Sequence, residues 1–361
     1  METIVKRRRL FFFAVLSLCC AISYALQTTG QLDPDVAWIN YGVGRLLQGD
    51  KLYRDVVEIN PPLIYSISLP PIWLARTSGW SENGFYVAWV LLIATMSSWI
   101  SYGVLTAGNH RKLDGYFGMA LMHVALITVI IGESFGQREH FLFMLLAPYV
   151  YLCLVRLEAK SVRTSLAACI GACAALGIAL KPHYILVPAF IEILLVSQKR
   201  NFRYRMLRPE ATAGLATAAL IVTIVALAYP EFISEIVPLA SRAYFPFYKE
   251  SSETIWFDFA TLLLFISISI YRFAEVQATS AAPGSVLAVA AMASALAMLV
   301  QFRGFPYQQL PTIFFLFMIS AFRLSSLKPT KAPWTAILGL STLVYLKLLS
   351  NKSNVHEKLL R

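Results

Sequence analysis

Charge is scarce in this sequence, and so are the patterns by which soluble enzymes hold nucleotides or metals. Asp, Glu, Lys and Arg make up 14% of the 361 residues, against about 25% in a soluble domain. Hydrophobic residues make up 58%, more than a water-soluble chain of this length can hide. No polar stretch is long enough for a separate soluble domain. There is no Walker phosphate loop, no dinucleotide fingerprint, no HExxH and no GxSxG. A cytoplasmic unit that binds a nucleotide is therefore not expected. The five cysteines all lie inside hydrophobic blocks, which suggests packing rather than a disulfide framework. Cys169 and Cys173 share a helix face, but such a pair in lipid packs more often than it binds metal.

What is present is a series of apolar blocks, each of roughly 15–22 residues, the length that crosses a bilayer. The first follows Lys6-Arg7-Arg8-Arg9 and runs from Leu10 to about Leu26; it reads as a signal anchor, the alternative being a cleaved signal peptide with Ser23-Tyr24-Ala25 as its cleavage site. Further spans are expected at about 84–107, 116–135, 141–157, 165–180, 183–198, 211–229, 256–272, 284–302, 308–323 and 333–350. The fold class is thus an all-α integral membrane protein of about 11 transmembrane helices (10–12). It forms one polytopic domain over residues 1–350, with a short polar tail at 351–361. The net charge of +11 reflects clusters between blocks, not a nucleic-acid stripe. Segments expected inside carry 18 Lys and Arg, those expected outside 9, and the C-terminal stretch the remaining 4. This bias places the N-terminus in the cytoplasm.

Two long loops then lie outside, at residues 27–83 and 230–255. The first has internal order. Val36 to Leu47 has helical spacing, with Asp35 as its expected N-cap and Gly49 closing it. Lys51 to Glu58 reads as extended. Pro61-Pro62 starts an apolar segment, Leu63 to Ala75, too short and too proline-broken to span, which reads as a helix lying on the outer leaflet.

Polar residues collect at the outer ends of the helices. The first loop supplies Asp33, Asp35, Arg54, Asp55, Glu58 and Asn60. Later turns supply Arg138, Glu139 and His140, then Lys181 and His183, then Arg303 and Tyr307. Carboxylates and cations on one membrane face suit a hydroxyl nucleophile and a phosphate leaving group. Glycosyl transfer needs a carboxylate to take the acceptor's proton and cations, or a divalent cation, to stabilise the departing phosphate. Asp33 or Asp35 is the candidate base. Arg138, Lys181 and Arg303 are candidates for the phosphate, Arg being suited to bidentate contact. Each also has a plainer role: Asp33-Pro-Asp35 can merely start a helix, Arg138 can pair with Glu139 or Glu133, and Lys181 can snorkel. With no nucleotide site, a donor delivered within the membrane on a polyprenyl phosphate is the consistent one.

Three stretches carry a resemblance: Asp33-Pro-Asp35, Gly49-Asp50-Lys51-Leu52-Tyr53-Arg54-Asp55 and Glu58-Ile59-Asn60-Pro61-Pro62-Leu63. Together they resemble the first periplasmic loop of bacterial GT-C glycosyltransferases, relatives of the protein O-mannosyltransferases and lipid A aminoarabinose transferases. Gly136-Gln137-Arg138-Glu139-His140, Lys181-Pro182-His183 and Arg303-Gly304-Phe305-Pro306-Tyr307 resemble turns of the same group. The resemblance spans roughly residues 8–325. It implies a bacterial inner membrane location and a periplasmic site. It further implies an inverting transfer from a polyprenyl-phosphate sugar to a glycan, lipid or protein acceptor, and an essential acid at Asp33 or Asp35. The competing classes are a transporter or flippase for a lipid-linked glycan, and an inactive relative acting as a scaffold. Transporters place ionisable groups near mid-bilayer on broken helices; the outward charges here sit at helix ends.

Overall fold

A computed structural model describes residues 2–30, 32–107, 113–158, 160–198, 207–247, 282–301 and 306–326. The described residues are almost wholly helical: α1 (Glu2–Thr29), α2 (Pro34–Leu46), α3 (Leu63–Ser78), α4 (Glu82–Thr106), α5 (Leu113–Ala125) and α6 (Arg138–Leu157) come first. They are followed by α7 (Thr164–Leu180), α8 (Leu186–Gln198), α9 (Pro209–Ala228), α10 (Val237–Phe247), α11 (Ala282–Gln301) and α12 (Leu310–Ser326). Five of these, α1, α4, α6, α9 and α11, contain stretches long and apolar enough to cross a membrane. The chain is an all-α, multi-pass membrane protein. The expected spans at 256–272 and 333–350 lie outside the described residues.

The bundle is organised around α6. Its sequence, REHFLFMLLAPYVYLCLVRL, is apolar on every side between a charged first turn and Arg156. A helix apolar all round belongs in the interior, and nearly every residue from Glu139 to Val155 is buried. Antiparallel α7 packs beside it and brings its own last residue, Leu180, next to the start of α6. Behind α7 lies α9, at backbone contact: a Cβ on Gly171 would stand 2.0 Å from the Glu210 carbonyl oxygen. Small residues permit such approaches between helices in lipid.

The span expected at 116–135 is not one helix. It stops as α5 at Ala125, continues as a π-helical turn Leu126–Ile130, and ends in a 3₁₀ turn Gly132–Ser134. Unwinding frees carbonyls, which cannot stay bare in an apolar bundle. Neighbouring helices satisfy them: Ser23 Oγ donates to Thr128 O at 2.7 Å, Gln27 Nε2 to Gly132 O at 3.0 Å, and His140 Nε2 to Ile127 O at 2.9 Å.

The connection between α1 and α4 differs from the sequence reading at three points. The N-cap of α2 is Asp33, not Asp35. Its carboxylate accepts from Asp35 N at 2.9 Å, with Pro34 at the first helical position, where a residue lacking an N–H costs nothing. The segment from Lys51 is not extended but doubles back. Lys51 O accepts from the backbone amides of Arg54, Asp55 and Val56, and Asp55 Oδ2 accepts from Lys51 N at 2.8 Å. Tyr53 takes a left-handed conformation in this turn, φ +71, which a side-chain-bearing residue adopts only when its surroundings enforce it. They do: Tyr53 OH donates to Asn60 O at 2.6 Å, and its ring packs on Tyr229 and Phe232. Helix α3 carries Pro70 and Pro71 as expected, but runs on to Ser78. Arg76 locks it down, donating to Gly44 O in α2 at 2.8 Å and to Glu82 in α4 at 2.9 Å.

Candidate active site

The ends of α6, α7 and α11 meet beneath the 58–61 segment and enclose a cavity of about 250 Å³. Asn60, Arg138, Lys181, His183 and Gln301 line it, with Pro61, Leu180 and Val300 as apolar wall. Four of those five polar residues were singled out in the sequence. Gln301 was missed. The available signal was a lone amide closing an apolar run of about 18 residues, a long way to carry a polar group for no partner.

Lys181 and Glu139 form the buried floor. Nζ lies 2.7 Å from Glu139 Oε1, and the side chains are 5% and 1% exposed. Helix geometry favours both ends of the pair. Glu139 sits in the first turn of α6, where the dipole is positive, and Lys181 caps the last turn of α7, where it is negative. Lys181 also donates to Gln301 Oε1 at 3.1 Å and lies 5.8 Å from the Tyr307 ring centre. The plain reading in which Arg138 pairs with Glu139 therefore fails, because Lys181 takes that carboxylate. Among the described residues Arg138 makes no ion pair, and it stands on the cavity wall.

Asp35 stands close enough to Arg138, Glu139 and Lys181 to feel all three. Enclosure by the surrounding protein, then the charge of Asp33, raise its carboxyl above the ordinary aspartate range; Arg138 opposes them. The side chain is nonetheless open at the surface. Asp33 is occupied as the helix cap. The two leading aspartates thus differ: one is tied to the backbone, the other is an accessible, crowded carboxylate facing a cation. A carboxyl raised by its surroundings is one mark of a candidate proton acceptor.

The remaining candidates are structural or lie elsewhere. Glu58 is buried and fully used: it accepts from Trp38 Nε1 at 2.6 Å, Tyr65 OH at 3.3 Å, Ile59 N at 2.7 Å and Asn60 N at 3.1 Å. Burial holds Tyr65 and Tyr53 well above the usual tyrosine range, so both phenols stay donors. His140 is buried and clamps the turn before α6: Nδ1 accepts from Gly136 N at 3.0 Å while Nε2 donates to Ile127 O. Asp55 folds onto Lys51 and does not line the Arg138 cavity. Arg54 pairs with Glu231, beside a second cavity of about 360 Å³. The carboxylates there, Asp50 and Glu231, are already paired with Arg45 and Arg54. Arg303 lies outside the described residues. Among the described residues no three His, Cys, Asp or Glu gather as a metal-ligand shell.

No protein-family model matches the chain, and no curated protein matches it by sequence. Among solved structures it is similar to the crystal structure of ArnT from Cupriavidus metallidurans bound to undecaprenyl phosphate. The TM-score is 0.62 at 15% sequence identity, over 94% of this chain and 64% of that one. The chain spans somewhat under two thirds of that protein's length. At this identity the likeness speaks for the fold alone, a multi-helix membrane architecture.

Proposed function

We propose that the protein is a membrane glycosyltransferase that moves a sugar from a polyprenyl-phosphate donor to an outward-facing acceptor in the bacterial cell envelope. The observation that carries this reading is one accessible carboxylate, Asp35, within electrostatic reach of Arg138, which lines a cavity among helix ends and makes no ion pair among the described residues. The GT-C fold, and a neighbour bound to undecaprenyl phosphate, support it. In this reading the acceptor hydroxyl gives its proton to Asp35 as its oxygen attacks the sugar's anomeric carbon from the face opposite the phosphate. The carbon–oxygen bond to the phosphate breaks, and its electron pair leaves on the phosphate oxygen, held by Arg138. Lys181 faces the same cavity but is matched by Glu139, so it orients more than it neutralises. Reaction at one face with departure from the other inverts the anomeric centre. The N-terminus is cytoplasmic and the cavity faces the periplasm, following the bias of Lys and Arg.

The test uses membranes containing the full chain and a panel of polyprenyl-phosphate hexoses and pentoses. Release of polyprenyl phosphate with a glycosylated product of inverted configuration supports the proposal. Consumption of no donor by the wild type, or equal consumption by Asp35→Asn, overturns it.

A further inference from the structure

Helix α2 presents a row of which this reaction uses only the first residue, Asp35. Its buried face carries Val36, Ile39, Asn40 and Val43. On its outer face Asp35, Trp38, Tyr41 and Arg45 follow at spacings of three, three and four residues, a single stripe about 15 Å long at 1.5 Å per residue. Trp38 and Tyr41 are 50% and 55% exposed, with ring centres 5.8 Å apart and planes 32° from parallel. Charge closes both ends: Asp35 at one, the Arg45–Asp50 pair at the other.

The mounting of Trp38 is informative. Its indole N–H donates to Glu58, a carboxylate 7% exposed and held by three further donors. The ring is pinned by its edge and shows its face. A tryptophan in a bilayer interface uses its polar edge toward headgroups and water; Trp38 turns that edge inward. The contrast is α3, where Leu69, Trp73 and Leu74 are exposed together. Among the described residues Trp73 has no such hydrogen bond, and the patch suits lipid.

We propose that the outer face of α2 is the subsite for the acceptor, and that the acceptor is a saccharide chain. Sugar rings are amphipathic: their C–H faces stack on Trp38 and Tyr41, while their hydroxyls bond Asp35 at one end and the Arg45–Asp50 pair at the other. The row is continuous with the candidate site because Asp35 belongs to both, so the terminal sugar meets the base as it leaves the aromatic shelf. This rests on the transferase reading and narrows its acceptor from glycan, lipid or protein to glycan.

The experiment is direct binding of linear tri- to hexasaccharides of glucose, mannose or N-acetylglucosamine to the full chain in nanodiscs, with no donor present. At least one series binds the wild type. Trp38→Ala and Tyr41→Ala each weaken it about tenfold, the worth of one aromatic contact, and Trp73→Ala leaves it unchanged. Tyr41→Ala disturbs no buried group, so it decides the matter if Trp38→Ala, which strands Glu58, folds poorly. Absence of binding, or wild-type affinity in Tyr41→Ala, overturns the subsite. Trp38 fluorescence that is quenched by lipids brominated near the headgroup, and unmoved by every saccharide, also overturns it by assigning the face to the bilayer. Because the assay needs no turnover, saccharide binding without transfer counts only against the transferase reading, and transfer to a non-saccharide acceptor only against the subsite.

Discussion

Two charge clusters stand at the two ends of α6, and they are built from the same residue types. At its last turn Arg156 donates through Nε and Nη2 to the two oxygens of Glu210, each at 3.1 Å. Arg208 pairs with Glu192, and Tyr149 OH donates to Glu192 at 2.5 Å. Two cations meet two acids, with Glu210 fully buried. At the first turn Arg138, Lys181, Glu139 and Asp35 are again two cations and two acids. There, among the described residues, Lys181 and Glu139 are matched, while Arg138 on the cavity wall and the exposed Asp35 make no ion pair. A matched cluster fixes helices. A cluster with one of each charge left over is prepared for a ligand that brings its own charge. Composition does not separate the two cases; bookkeeping of partners does.

Breaking the outer cluster at its open acid has the largest effect. Asp35→Asn lowers transfer by about 10²–10⁴-fold, the usual worth of a general base, in assays on membranes with equal protein. Asp33→Asn keeps activity, since Asn caps a helix as well as Asp does. Because the Asp35 carboxyl is raised in the fold, its ionised form is disfavoured there. The stability tied to its proton is full below the unfolded value of about 3.9 and is lost as pH rises through the higher folded value. At neutral pH, Asp35→Asn therefore unfolds no earlier than the wild type. For the same reason the acid limb of transfer falls at a pH above the ordinary aspartate range.

Breaking the matched cluster has the opposite profile. Glu210→Ala strands Arg156 and destabilises by about 3–5 kcal/mol in detergent unfolding, with the protein that remains folded transferring normally. A comparable loss of transfer per folded molecule would erase the contrast drawn above. Next comes the pair that belongs to both worlds: Lys181→Met strands Glu139 and destabilises by about 3 kcal/mol. Adding Glu139→Gln restores most of the stability but little of the transfer. Should the double variant regain wild-type transfer, the outer pair is as purely structural as its counterpart. The smallest effect is expected at the 58%-exposed Arg54: Arg54→Ala shifts stability by less than about 1 kcal/mol, as solvated pairs do.

The helices were legible in the sequence because a run of apolar residues long enough to cross a bilayer has few other uses. The convergence of Asn60, Arg138, Lys181 and His183 was legible because each stands at the end of an apolar segment. What was hidden depended on bonds between distant residues. The break in the 116–135 span is paid by Ser23, Gln27 and His140, none of which marks it in the local pattern. The turn at Lys51 rests on Asp55 reaching four residues back and on Tyr53 being held by Asn60. The distinct roles of Asp33 and Asp35 turn on Pro34 occupying the first helical position. That signal was present and was read two residues out of register.

Because α6 ends in charge on both sides, it is also a measuring rod. Arg138 and Arg156 are 18 residues apart, roughly 27 Å along a helix, close to the hydrocarbon thickness of about 30 Å of a typical bilayer. Neither end can slide inward without carrying buried ions with it. Lipid chain length then becomes a control on the proposed transfer: thicker bilayers draw the cavity toward oil and thinner ones drown it, so any turnover should peak at one membrane thickness.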